Sequence, residues 1–326
     1  MDASFRTPLT DLFGLKHPIV LAPMGAVAGG ALAAAVARAG GLGLIGPGYL
    51  GDDWVNEQFD AAGNERVGVG FITWDLAKAP TRLATALARK PNAAMLSFGD
   101  AAPFVDAIKK SGARLILQVQ SVAAAKEAAR LGADVVVAQG VEGGGHGANP
   151  EAGRSLLPLL PAVIDAGAPI PVVAAGGIAD GRGLAAALTL GAAGALIGTR
   201  FYAAEEALGH ANAKARIVAA SGDQTVRTRV FDIVRAIDWP RQWTGRAIVN
   251  DLTRRWHGRE ADLERSGGIE RSRYGAAAAM GDVDTAVVWA GEGVDLIKDV
   301  EPAATIMDRL IKEARAALDK VLTARV

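Results

Sequence analysis

The chain has 326 residues, half of them apolar, with 35 Lys plus Arg balanced by 35 Asp plus Glu and no cysteine. That length suits one large α/β barrel with an elaboration, or two ordinary domains, and the apolar half is ample for a sizeable core. Charge balance gives no bulk attraction to nucleic acid or an anionic membrane, and the lack of cysteine excludes disulfides, thiolate metal sites and a thiol nucleophile.

Residues 1–6 lack a basic region leading into an apolar stretch, so no secretory signal is expected and the protein is expected in the cytoplasm. The longest apolar region, 26–45, is broken by Arg38 and rich in glycine and alanine, which reads as helix, turn and strand rather than a membrane span. Eight short apolar runs follow one another at 18–22, 42–45, 67–71, 94–98, 114–119, 134–138, 171–175 and 194–198. Alanine-rich helical stretches at 31–39, 81–89, 122–131 and 183–190 lie between them, several ending at Gly40, Gly132 or Gly191. Eight strand and helix units predict an α/β fold of the (β/α)8 TIM-barrel type. The alternative is an open doubly wound sheet, which lacks its main support because no early Gly-x-Gly-x-x-Gly turn with an acidic partner occurs.

After Phe201 the pattern changes to polar helical and mixed segments, with an aromatic, kinked Trp239-Pro-Arg-Gln-Trp243. The expected division is a barrel over 1–204, a helical cap inserted after the last barrel strand over 205–290, and a C-terminal segment over 291–326 whose helix packs back on the barrel.

Directly after the sixth run the chain reads Gln139-Gly-Val-Glu-Gly-Gly-Gly-His-Gly147, a loop of glycines presenting one of only four histidines. Glycines let a flat ligand approach the main chain at an entropic cost that a plain connector avoids, and an imidazole there can exchange a proton near pH 7. His146 is therefore the candidate for chemistry; the competing reading is a tight turn with a solvent-facing histidine. His210 and His257 sit in polar helical surroundings and read as surface residues, and His17 as structural. No metal site is expected, since histidines and carboxylates lack ligand spacing.

Glycine clusters follow the last two runs, at Gly176-Gly177 and at Gly198-Thr199. In (β/α) barrels these loops cradle phosphate, with backbone N–H groups converging on the anion. Gly176, Gly177, Gly198 and Thr199 would supply the N–H groups, with the Thr199 hydroxyl as a further donor. Ala22-Pro-Met-Gly25 brings Met24 to the same mouth, either as a ligand contact or as core filler. Asp180 reads as a helix cap, Glu142 as a residue that orients the loop or faces solvent, and Trp239, Trp243 and Trp289 as packing anchors or cavity walls.

The segments Pro18-Ile-Val-Leu-Ala-Pro-Met24, Val137-Ala-Gln-Gly-Val-Glu-Gly-Gly-Gly-His-Gly147, Pro171-Val-Val-Ala-Ala-Gly-Gly-Ile-Ala-Asp-Gly181 and Gly198-Thr-Arg-Phe201 resemble the nitronate monooxygenase family, formerly 2-nitropropane dioxygenases. The likeness continues through Trp239-Pro, Gly245-Arg-Ala-Ile-Val-Asn250, Gly281-Asp and Trp289-Ala-Gly291. It implies a barrel holding FMN at the strand C-terminal ends, His146 as the base that removes the α proton of a nitroalkane, and Gln139 beside the flavin ring. It further implies contacts from Ala22, Pro23, Met24, Gly144, Gly145 and Ala175, with the phosphate on Gly176, Gly177, Gly198 and Thr199. The chain departs from many relatives in lacking an asparagine at the end of strand three and a lysine in strand five, where Gln118 or Gln120 is the polar substitute. The implied reaction is oxidation of small alkyl nitronates with dioxygen to a carbonyl compound and nitrite. Two alternatives remain at this point: an NAD(P)H-dependent flavin reductase acting on quinones or enoyl thioesters, and a flavin-binding protein without turnover.

Overall fold

Apolar runs without polar alternation demand cover on both faces, which a parallel sheet enclosed by helices provides. The computed structural model, which describes residues 5–266 and 268–323, has that arrangement. In chain order its strands are β1 (Ile19–Leu21), β2 (Leu44–Ile45), β3 (Gly68–Ile72), β4 (Ala93–Ser97), β5 (Arg114–Val119), β6 (Val135–Gln139), β7 (Gly145–Ala148), β8 (Val172–Ala175), β9 (Gly194–Ile197), β10 (Thr225–Thr228) and β11 (Trp243–Ile248). All but β7, β10 and β11 form one parallel sheet in the order β1-β9-β8-β6-β5-β4-β3-β2. The Leu21 amide donates to the Leu42 carbonyl and the Leu42 amide to Ile19, both at 2.9 Å, and these bonds join the two ends of the sheet into a barrel. The eight barrel strands coincide with the eight expected runs.

Inward-facing Val20, Met95, Ile116, Val137, Val173 and Leu196 fill the barrel as one buried cluster. A short helix, Pro8–Phe13, plugs its N-terminal end with the fully buried Leu9; Thr7 caps this helix and its hydroxyl donates to the Ala193 carbonyl at 2.7 Å. The C-terminal helix Ala303–Thr323 buries Ile306, Met307, Leu310, Ile311 and Ala314 as one stripe. It lies against helix Gly181–Thr189, where the Ala314 amide occupies the place of a Cβ on Gly181, so glycine is needed for this close approach. Each of the large apolar side chains in that stripe contributes about 1.5–3 kcal/mol by leaving water.

The part after the last barrel strand contains helices Ala211–Ala219, Val230–Val234, Asp251–Trp256, Glu260–Ser266 and Gly268–Met280 around buried Val230, Phe231, Leu252 and Tyr274. Besides these helices it holds a three-stranded antiparallel sheet in the order β10-β11-β7. Its third strand, β7, comes from the glycine loop itself, with His146 opposite Gly245 on β11. The loop that follows β6 is thus anchored in the cap, which ties the two parts together at the site. Among the described residues no helix is long and apolar enough to cross a membrane, and no cluster of His, Asp and Glu could hold a metal ion.

Candidate active site

The C-terminal ends of the barrel strands open into a cavity of about 330 Å³, of the size small-molecule sites have. Every residue expected at the site lines it. Ala22, Pro23 and Met24 come from the loop after β1, Gln118 from β5, and Gln139 from the end of β6. Gly144, Gly145 and His146 come from the glycine loop, Ala175, Gly176 and Gly177 from the end of β8, and Gly198 and Thr199 from the end of β9.

At the β8 and β9 ends the backbone presents amides to the cavity. Gly176 and Gly177 have φ of +119° and +66°, values that a side chain opposes, and their amides and that of Gly198 find no acceptor among the described residues. The Thr199 hydroxyl accepts from the Gly291 amide at 3.1 Å, which leaves its hydrogen free to donate. An anion at this end of the cavity would meet converging donors. Glu142 sits behind this cradle and accepts from the Leu156 amide at 2.9 Å, so it orients the loop as one of its two expected readings held. Asp180 caps helix Gly181–Thr189 by accepting from the Arg182 and Gly183 amides.

Three glutamines fix the floor under His146. Gln139 donates from Nε2 to the His146 carbonyl at 2.9 Å, and its Oε1 accepts from Gln118 at 3.1 Å and Gln120 at 2.9 Å. The donors and acceptors match only with the amide in this orientation, so the network is satisfied and rigid. Of the two glutamines in and after β5, Gln118 lines the cavity, and Gln120 supports Gln139 from behind.

His146 meets a partner 86 residues away. Its Nε2 lies 3.0 and 3.1 Å from the two carboxylate oxygens of Asp232, with side chains only 9% and 2% exposed. A carboxylate accepts only, so Nε2 carries the proton and Nδ1 is left as the basic nitrogen, with no hydrogen-bond partner among the described residues. The imidazole also stacks on Trp239, with ring centroids 3.6 Å apart and planes within 6°. Burial holds the His146 pKa below its ordinary value; the hydrogen bond and charge of Asp232 oppose this, and the charges of Arg235 and Arg227 add to it. The balance favours the neutral imidazole near neutral pH.

Several of these residues escape sequence reasoning. Asp232 lies in Val230-Phe-Asp-Ile-Val234, and an acid inside so apolar a run was the one available sign that it is buried and paired. Trp239 and Trp289 do wall the cavity, as do Tyr49 and Arg235, whereas Trp243 packs edge-on against Phe98 and Trp239. His17 is buried, His210 caps helix Ala211–Ala219, and His257 is half exposed beside Glu260; none lies at the site.

The glycine loop is held from the cap by a buried arginine. Arg227 donates to the carbonyls of Thr244, Val141 (2.8 Å) and Gly143 (2.9 Å), and Arg246 adds a bond to Val141 at 3.3 Å. Burial pushes the Arg227 pKa down to about 10, so it keeps its charge at neutral pH. Hydrogen bonds to a charged donor contribute about 1.5–3 kcal/mol each. Arg227→Met is expected to lower the melting midpoint by on the order of 5–10 °C in a thermal scan. An unchanged midpoint would show that the loop holds its place without the guanidinium.

A closed parallel barrel whose last two strand ends present unbonded amides to a cavity, with a buried His–Asp pair lining the same mouth, has the architecture of a (β/α)-barrel enzyme that works on a small molecule. The family model described as nitronate monooxygenase matches residues 6–65 and 62–313. A nitronate monooxygenase of Metarhizium robertsii, npaC, is 36% identical over 339 residues, covering 94% of each chain. A Mycobacterium tuberculosis protein named as a dehydrogenase of a hydroxy-methyl-oxo-octahydroindene-carboxyl-CoA is 39% identical over 231 residues, 70% of this chain and 64% of that one. Among solved structures, FabK from Thermotoga maritima superposes with a TM-score of 0.86 at 29% identity over 98% of this chain and 99% of that one. A nitroalkane oxidase from Streptomyces ansochromogenes does so with a TM-score of 0.79 at 28% identity, over 97% and 100%. The chain belongs to the nitronate monooxygenase family and is an oxidoreductase.

Proposed function

We propose that this protein binds FMN in the barrel mouth and oxidises small alkyl nitronates with dioxygen to a carbonyl compound and nitrite, His146 first taking the α proton when the substrate is a neutral nitroalkane. The observation that carries this reading is the neutral His146 base, set by Asp232, facing the same cavity as the anion cradle of Gly176, Gly177, Gly198 and Thr199. The residues present suit FMN: free amides and a hydroxyl for its phosphate, and a glycine-rich wall with Ala22, Pro23, Met24, Gln118, Gln139, Gly144, Gly145 and Ala175 for its flat ring. Bound FMN supplies the electron-transfer chemistry that carbon acids and dioxygen need. The chain's own residues do the rest: Gln139 fixes the His146 backbone, Asp232 fixes its tautomer, and the cap aromatics Trp239 and Trp289 keep water from the base. In this reading residues 1–204 carry the cofactor, 205–290 cover the substrate, and 291–326 brace the barrel, with a small nitro compound and dioxygen as partners in the cytoplasm.

A second reading is kept because of the similarity to a protein named as a carboxyl-CoA dehydrogenase. It makes the enzyme an NAD(P)H-dependent flavin reductase acting on quinones or enoyl thioesters. A protein without turnover would leave the buried His146–Asp232 pair without a task. One experiment separates the three: record the absorbance of purified protein, then mix it anaerobically with ethylnitronate and, separately, with NADPH. Yellow protein that bleaches with nitronate and yields nitrite in air is the expected result. Rapid bleaching by NADPH with none by nitronate would favour the reductase, and a colourless protein that FMN cannot reconstitute would overturn both.

A further inference from the structure

We propose that Tyr49 and Arg235 form a receptor for the two oxygens of the substrate's nitro group, stabilising the negative charge that develops there as the α proton leaves. The proposal rests on the reading of the cavity as a site for nitroalkanes and nitronates. Tyr49, in the barrel loop after β2, and Arg235, just past the cap helix Val230–Val234, come from different parts of the chain and line the cavity together with His146.

The Tyr49 hydroxyl accepts the indole N–H of Trp239 at 2.6 Å. An indole nitrogen can only donate, so the phenolic hydrogen has to go elsewhere, and no described residue accepts it. Burial pushes the Tyr49 pKa up, so the phenol stays a neutral donor throughout the accessible pH range. Trp239 in turn stacks on His146, which places the phenol one ring away from the base.

Arg235 is the complementary group. Its guanidinium carbon lies 5.6 Å from the centre of the Tyr49 ring, and it makes no hydrogen bond or ion pair with any described residue. Asp232, three residues earlier, directs both oxygens to His146 instead. A half-exposed guanidinium on a cavity wall with no protein acceptor is available to an entering anion, and its planar fork matches a group with two coplanar oxygens. When His146 Nδ1 takes the α proton, the C–H electron pair becomes the C=N double bond and the charge settles on the two nitro oxygens, where Tyr49 and Arg235 meet it. No oxidant is needed for this step, since a proton alone moves. Donors fixed in advance at the place where charge develops act on the barrier rather than only on binding.

The plain alternative is that Arg235 merely packs on Tyr49 as a cation–π pair. Nitrate, a planar oxyanion shaped like the nitronate group, separates the two on the cofactor-loaded protein. Titration calorimetry is expected to show nitrate binding that weakens at least about tenfold in Arg235→Met and partly recovers in Arg235→Lys. In steady state, Tyr49→Phe is expected to lower kcat/KM for nitroethane about ten to a hundredfold more than kcat/KM for preformed ethylnitronate, because only the former must build the charge. Arg235→Met is expected to act chiefly on the KM for ethylnitronate. Equal nitrate affinity in wild type and Arg235→Met, or equal losses on the two substrates in Tyr49→Phe, would overturn the proposal. Should wild-type protein bind nitrate through Arg235 yet not turn over nitronates, the receptor stands and the assignment of the reaction fails.

Discussion

Replacing His146 by alanine is expected to lower kcat/KM for neutral nitroethane by about 10²–10⁴-fold, the range that general bases contribute, and to lower it for preformed ethylnitronate far less. The asymmetry follows from the step each substrate needs. Nitroethane has to lose an α proton, and under the proposed reading His146 Nδ1 takes it, being neutral and without a hydrogen bond to any described residue. Ethylnitronate arrives without that proton. The substitution is readable because the loop does not depend on the imidazole: Gln139 holds the backbone carbonyl of residue 146, strand β7 pairs through its main chain with β11, and Arg227 holds the carbonyls of Val141 and Gly143. The lost stacking on Trp239 removes some packing energy and leaves these bonds in place. Nitrite release assayed with both substrates on protein of matched flavin content decides the matter. Equal losses on the two substrates would mean that His146 positions rather than deprotonates, and no loss on nitroethane would remove it from the chemistry.

The barrel was legible because its information is local. Each strand is a short apolar run, each alanine-rich helix ends near a glycine, and the order of these units fixes a parallel topology without knowledge of distant contacts. The cavity lining was legible for the same reason: the glycines at 144–145, 176–177 and 198 follow strand ends, and Gly145, Gly176 and Gly177 among them take positive φ. What lay hidden is non-local. Strand β7 is Gly-His-Gly-Ala, with no β-branched residue, and becomes a strand only because Trp243–Ile248 lies beside it. Asp232 is separated from His146 by 86 residues, and nothing near either one names the other. Nothing near Arg227 or Arg246 in sequence points to the glycine loop, yet they hold its carbonyls from the far side of the chain. Trp239 stood open between wall and anchor and proves to be both, stacked on His146 and bonded to Tyr49.

Asp232→Asn is expected to cost on the order of 10²-fold or more in the plateau value of kcat/KM for nitroethane, and to move the acid limb of its pH profile to lower pH. Two effects of the carboxylate are lost together. It selects the tautomer with the proton on Nε2, and an amide, which can donate as well as accept, tolerates the opposite tautomer, in which Nδ1 is no longer basic. It also supports the imidazolium that forms once the proton has been taken. The direction of the pH shift follows from the balance at His146. Burial lowers its pKa first and most, the charges of Arg235 and Arg227 lower it further, and Asp232 alone raises it through its hydrogen bond and charge. The base works when neutral, so wild-type kcat/KM rises with pH and levels off below the ordinary imidazole value of about 6.5. Without the carboxylate the lowering influences are unopposed, and the limb falls to a still lower pH even as the plateau drops. Profiles of both proteins between pH 5 and 8 test this, and the two parameters answer separate questions. A limb that moves up would mean that the His146 charge is set by a group other than Asp232, and an unchanged plateau would mean that the tautomer needs no carboxylate to hold it.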